Sequence, residues 1–251
     1  MQVWRWIETG EKSAAENMAI DEALLEAHGR GLTPPTLRFY RWQPAALSLG
    51  YTQQIEDWPE RCAPWGVDLV RRPTGGRAVL HQRELTYSVT ISSRYGLQGS
   101  VRETYQRLSE ALALGLTRLG LPATVQAGHL APGRQEACFA VATPADLLCE
   151  GQKVIGSAQV RKGDCLLQHG SVPLDPDPQL SEALLGMQTP SLSALLGRVP
   201  AWEDVMEALA EGFARSFGIQ WEHSELLPEE ETLARQKQER FRMPPLPGSP
   251  G

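Results

Sequence analysis

The chain has 251 residues, 41% of them hydrophobic and 22% charged, with a formal net charge of −6. That length supports a core of its own without disulfide or metal staples, and the acidic balance argues against nucleic acid as the main partner. Residues 1–8 meet an acid before any apolar run develops and residues 111–121 are too short to span a bilayer, so a soluble cytoplasmic protein without a signal peptide is expected.

Ser13 and Glu16 stand three apart as a capping box and predict a helix through residues 17–25. Strand-like runs follow at 37–42, 46–49, 67–70 and 78–81, and Cys62 falls in a short helix between them. In 85–91 the alternation is cleanest: Leu85, Tyr87, Val89 and Ile91 share one face, Thr86, Ser88 and Thr90 the other. A second capping box, Ser100 with Glu103, opens a helix whose Val101, Tyr105, Leu108, Leu112, Leu116 and Leu119 form one buried face. Gly120 and Pro122 stop it. A loop at 130–135 leads into a β-rich stretch at 145–174, and helix returns with Leu209, Phe213 and Phe217 at one-turn spacing.

Residues 222–231, rich in Glu, read as a solvated surface, and 244–251 as a flexible tail. No linker divides the chain. The expectation is a single α+β domain over residues 1–251, a mixed or antiparallel sheet flanked by helices, with a small helical C-terminal portion from about residue 201.

Cys62, Cys138, Cys149 and Cys165 form no CxxC pair and are expected to be free thiols. Cys165 and His169 are four apart, but no second ligand pair accompanies them, so no metal site is expected. Two segments carry chemistry. The first runs from Arg71 to His81, where Pro73, Thr74, Gly75 and Gly76 force a sharp turn among Arg71, Arg72 and Arg77. Those arginines suit a carboxylate, a phosphate or an acidic partner; the plainer alternative is a hairpin turn with solvated arginines. It is not a P-loop, because GxxxxGK[ST] is absent.

The second segment runs from Cys138 to Gly170. Gly151 suits a tight turn that sets Lys153 at the start of a strand, and Gly156, Ser157 and Ala158 are small enough for a substrate chain to lie against them. A thiol near an ammonium is favoured as thiolate, which a cysteine nucleophile needs near neutral pH. Spacing does not choose among the four thiols: Cys149 and Cys165 sit in strand-like runs as packing residues, and Cys138, beside a polar loop, is the most accessible.

The segment from Arg71 to His81, continued by Glu84 to Val89, resembles the signature of the lipoate/octanoate attachment superfamily, which includes the lipoate and biotin protein ligases. The stretches 17–24, 37–40 and 44–50 resemble the same group. Cys138-Phe139, with Lys153, Gly156-Ser-Ala-Gln159 and Gln168-His-Gly-Ser171, resembles one branch of it: the cysteine-dependent octanoyl-[acyl-carrier-protein]:protein N-octanoyltransferases.

That resemblance implies a biotin/lipoate protein ligase catalytic-domain fold and two catalytic residues, Cys138 carrying an acyl thioester and Lys153 lowering its pKa. It implies that Arg72, Thr74, Gly75, Gly76 and His81 wall an acyl pocket, beside Gly156, Ser157 and Ala158. It implies octanoyl-acyl carrier protein as donor, a lipoyl domain such as the glycine cleavage H protein as acceptor, a monomer, and no ATP or other cofactor. Arg71, Arg72, Arg77, Arg161 and Lys162 are then expected to meet acidic partners. Gln152 and Gln82 depart from the Arg and Asp common in the family. The rival readings are an ATP-dependent lipoate–protein ligase, an octanoyl amidotransferase between lipoyl domains, and a non-catalytic acyl- or carrier-binding protein.

Overall fold

A computed structural model of the chain describes residues 1–55, 57–126 and 146–242. Strand β1 (Gln2–Lys12) enters helix α1 (Ala14–Gly29) through Ser13, whose hydroxyl accepts from the Glu16 amide while the Glu16 carboxylate accepts from the Ser13 amide. Strands β2 (Thr36–Trp42) and β3 (Ala46–Leu49), the short helix α2 (Trp58–Cys62), and strands β4 (Asp68–Arg71), β5 (Val79–His81) and β6 (Glu84–Ser92) follow. Helix α3 (Val101–Arg118) starts at the second expected capping box. Strands β7 (Thr124–Val125), β8 (Leu147–Cys149), β9 (Gln152–Lys162) and β10 (Cys165–Pro173) come next. Helices α4 (Pro178–Leu185), α5 (Leu192–Leu196) and α6 (Trp202–Phe217), strand β11 (Ile219–Ser224) and helix α7 (Pro228–Phe241) complete the described chain.

Eight strands form one mixed sheet in the order β11-β1-β2-β6-β10-β9-β8-β7. β1 is parallel to both β11 and β2, and the pairings from β2 to β7 are antiparallel. A second sheet holds β4, β3 and β5 in that order. The alternation in β6 explains the two faces. Leu85, Tyr87, Val89 and Ile91 pack with Leu108, Leu112 and Leu116 of α3 and Val205, Leu209 and Phe213 of α6. Thr86 and Ser88 turn to the opposite face, where Ser88 donates to Asp21 of α1 at 2.7 Å. On that side α1 is in turn covered by Leu233, Ala234 and Phe241 of α7. Among the described residues no helix is long and apolar enough to cross a membrane.

Three expectations change. Val101 lies on the exposed side of α3, so the buried face begins one turn later. The C-terminal portion is not purely helical: β11 joins the large sheet beside β1. The acidic run is not all solvated either, because Glu230 is buried and paired with Arg5 at 2.6 Å. A buried Arg is tolerable only when its charge is met, and Glu230 meets it with both carboxylate oxygens. The expected loop at 130–135 and tail at 244–251 lie outside the described residues.

Candidate active site

β4 and β5 do not pair with each other; each flanks one side of β3. The Gly75-Gly76 segment is therefore a crossing over the end of β3 and not a hairpin turn. Arg72 holds it from inside. Its Nη1 donates to the Ser48 carbonyl at 2.8 Å, and its Nη2 to the carbonyls of Gly75 and Arg77 at 2.8 and 2.7 Å. A guanidinium 4% exposed and committed to backbone carbonyls does not dock a protein, which corrects that part of the expectation for Arg72. Arg71 Nη1 likewise donates to the Gly50 and Gln53 carbonyls, at 2.9 and 2.5 Å. Arg161 stays exposed while donating to the Gly99 and Ser100 carbonyls, and Lys162 pairs with Glu22 at 2.6 Å.

Between the small sheet and the α1 face of the large sheet lies a cleft with about 390 Å³ of free space, mouth included. Arg72, Gly76, His81, Gly156, Ser157 and Ala158 line it. Thr74 is fully buried, with its hydroxyl 2.7 Å from His169 Nε2, and Gly75 stands exposed on the turn. The structure adds residues that sequence reasoning left out, among them Met18, Tyr40, Trp42 and Thr86. Met18 stood in a segment recognised by resemblance, but nothing local says that it faces a cleft.

Two histidines border the cleft, each between a carboxylate and a hydroxyl. His81 Nδ1 lies 2.7 Å from Glu84 Oε1 and its Nε2 2.8 Å from Ser48 Oγ, while its ring stacks on Trp42 at 4.0 Å. His169 Nδ1 lies 3.0 Å from Asp21 Oδ2. Burial holds the His169 pKa below the ordinary imidazole value, against the pull of Asp21. Burial alone would raise the Asp21 pKa, but the Arg38 guanidinium at 2.7 Å, with His169 and Ser88, holds the carboxyl below its ordinary value. Gln82 reaches the Asp177 carbonyl and Ser181 and so ties the small sheet to α4.

Lys153 is placed by the β8–β9 turn. Glu150 and Gly151 have φ of 52° and 78°, the paired left-handed conformation of a two-residue hairpin. The Lys153 side chain is buried, and its Nζ lies 2.9 Å from Asp146 Oδ2. The Tyr105 hydroxyl lies 3.2 Å from Asp146 Oδ1 and 2.9 Å from the Ser157 carbonyl, linking this pair to the cleft wall. Lys153 itself stands three residues from Gly156 along β9.

Cys138 lies outside the described residues. The other three thiols are buried. Burial pushes Cys62 and Cys165 up to about 11 and raises Cys149 as well, so none is a thiolate at neutral pH.

Residues 13–214 match the family model of the lipoyl protein ligase A/B catalytic domain. The octanoyltransferase LipM of Kyrpidia tusciae is 43% identical over 265 residues, covering 96% of this chain and 97% of that protein. The octanoyltransferase LipM of Symbiobacterium thermophilum is 41% identical over 255 residues, covering 92% and 93%. A solved bipartite lipoate protein ligase of Thermoplasma acidophilum, studied with its E2 lipoyl domain, has the same fold: TM-score 0.78 at 23% identity, over 96% of this chain and 93% of that one.

Proposed function

Because the chain belongs to the lipoyl protein ligase A/B catalytic-domain family and is an acyltransferase, we propose that it moves an octanoyl group from octanoyl-acyl carrier protein to a lysine of a lipoyl domain, through an acyl thioester on Cys138. The glycine cleavage H protein is the first acceptor to try. The near-full-length likeness to two octanoyltransferases carries this reading. The cleft supports it: the hydroxyls of Thr86 and Ser171 on its floor both donate to Glu84, which leaves their carbon atoms for an acyl chain.

The buried, raised thiols of Cys62, Cys149 and Cys165 favour Cys138 as nucleophile, and Lys153, held by Asp146, supplies the ammonium that favours a thiolate. The Cys138 thiolate attacks the donor carbonyl; the new C–S bond forms as the carrier's C–S bond breaks, and the carrier thiolate leaves and takes a proton. One thioester replaces another, so the step is nearly balanced. The lysine ammonium first gives one proton to solvent. The neutral amine attacks the acyl-enzyme, the C–N bond forms as the C–S bond to Cys138 breaks, the nitrogen releases a second proton to solvent, and Cys138 leaves as thiolate. Amide formation from a thioester is downhill, so the reaction needs neither ATP nor a cofactor. The crossing at Arg72, Thr74, Gly75 and Gly76, with His81, walls the acyl group opposite Gly156, Ser157 and Ala158. The enzyme works as a cytoplasmic monomer.

Intact-protein mass spectrometry after mixing with octanoyl-acyl carrier protein, without ATP, tests this. An octanoyl adduct mapped to Cys138, cleaved by hydroxylamine and discharged by a lipoyl domain, is expected. No adduct, with acceptor modification only when ATP and free acid are present, would replace the transferase by a ligase. Transfer only from an octanoylated lipoyl domain would make it an amidotransferase.

A further inference from the structure

We infer that the cleft is a ruler for the acyl chain and that Met18 is its stop, setting the longest group accepted. This deepens the proposed acyl transfer and rests on it. Cross-strand register places Tyr40 of β2 opposite Thr86 of β6, Thr86 opposite Ser171 of β10, and Ser171 opposite Gly156 of β9. All four line the cleft, so one rung of its floor runs straight across four strands, beside the pair His169 and Ala158 of the next. Side-chain size falls along that rung from Tyr through Thr and Ser to Gly. The floor is therefore lowest at β9 and rises to a wall at β2. The acyl chain enters over β9, the strand that carries Lys153, and its methyl end points toward β2.

The span across the sheet is on the scale of a medium-length acyl chain. Three inter-strand steps of about 4.8 Å make the rung about 14 Å long. An extended octanoyl group with C–C bonds of about 1.5 Å runs about 9 Å from carbonyl to methyl. A van der Waals contact of about 4 Å then separates the methyl from whatever blocks it. Two further methylenes would bring it against the wall.

Three residues form that wall, and two are anchored. The Tyr40 hydroxyl donates to Asp21 at 2.9 Å, with the Arg38 guanidinium 3.8 Å from its ring. Trp42 Nε1 donates to Thr86 at 2.8 Å, and its ring stacks on His81. Met18, on α1, is fully buried among Tyr40 and Trp42 and has no polar atom to anchor. It alone can be shortened without breaking a hydrogen bond, and it lines the cleft with a flexible thioether.

The test measures kcat/KM for acyl-carrier-protein donors from hexanoyl to tetradecanoyl, with a lipoyl domain as acceptor, for the wild type and for Met18→Leu, Met18→Val, Met18→Ala and Met18→Phe. Wild-type activity is expected to fall steeply beyond octanoyl. In Met18→Ala the decanoyl-to-octanoyl ratio is expected to rise about fifteenfold, the value of two methylenes buried instead of blocked. Met18→Val should be intermediate, and Met18→Phe should move the preference to hexanoyl. A general loss of folded enzyme lowers every donor alike and leaves the ratio unmoved. Ratios that stay at the wild-type value across the series while octanoyl transfer persists would overturn the ruler. A wild type that transfers no octanoyl group from the carrier overturns the functional reading itself, and the ruler with it.

Discussion

Lys153 Nζ lies 2.9 Å from Asp146 Oδ2, with both side chains almost completely removed from water. An ammonium in that position is tolerated because a carboxylate meets it, and stripping one charge from such a pair costs about 3 kcal/mol or more. Asp146→Asn is accordingly expected to lower stability by about that amount in urea titration. Lys153→Met should slow acyl-enzyme formation about thirtyfold at pH 7, since an unassisted thiol near pKa 8.5 is only a few per cent thiolate there. The deficit should shrink as pH rises toward 9. An acylation rate at pH 7 equal to the wild type would remove Lys153 from the role proposed.

At the end of β3 a Cβ added to Gly50 would sit 1.9 Å from the Gly76 carbonyl oxygen. Backbone cannot swing aside as a side chain can. Gly50→Ala should cost about 3 kcal/mol. In a chain of this size that is a fall of roughly 10 °C in Tm, readable by differential scanning fluorimetry. An unchanged Tm would mean that the Gly75-Gly76 crossing is not packed as described.

Thiol labelling separates the four cysteines. At pH 7 iodoacetamide should modify Cys138 first, while Cys62, Cys149 and Cys165, buried and with raised pKa, react only when urea unfolds the chain. Peptide mapping against time reads the order. Early labelling of any buried thiol ahead of Cys138 would reverse the assignment of the nucleophile.

Acid should weaken the fold in two stages. Burial holds His28 and His169 below 6.5, so between 6.5 and their lowered folded values the unfolded chain takes up protons that the native one refuses. Stability therefore falls as pH drops through that window. Asp21, held below 3.8, adds a loss of the same sign at lower pH. The urea midpoint should drop between pH 7 and 5, and His169→Gln should flatten that slope even where it lowers stability at pH 7. A midpoint independent of pH over this range would contradict the buried neutral histidines.

Features with local causes were readable before the fold was known. Both capping boxes need only residues three apart, and the two faces of β6 need only period two. The Glu150-Gly151 turn and the place of Lys153 follow from the same short-range rules. What escaped notice depends on partners far along the chain. β1 needs β11 beside it, Glu230 is buried because Arg5 awaits it, and His169 meets Asp21 across 148 positions. The direction of Arg72 was hidden for another reason: three arginines around a turn look alike until the carbonyls that one of them holds are brought together.

The parallel pairing of β1 with β11 has a consequence for a chain leaving the ribosome. The outer edge of β1 stays bare until its partner, roughly two hundred residues later, has been made, on the order of ten to forty seconds at ordinary rates of synthesis. An open strand edge is a template for pairing with a neighbouring nascent chain. Arg5 waits through the same interval for Glu230. Vectorial synthesis thus leaves β1 dependent on β11 and on Glu230, which emerge much later, and crowding of nascent chains on polysomes favours edge-to-edge pairing in that interval.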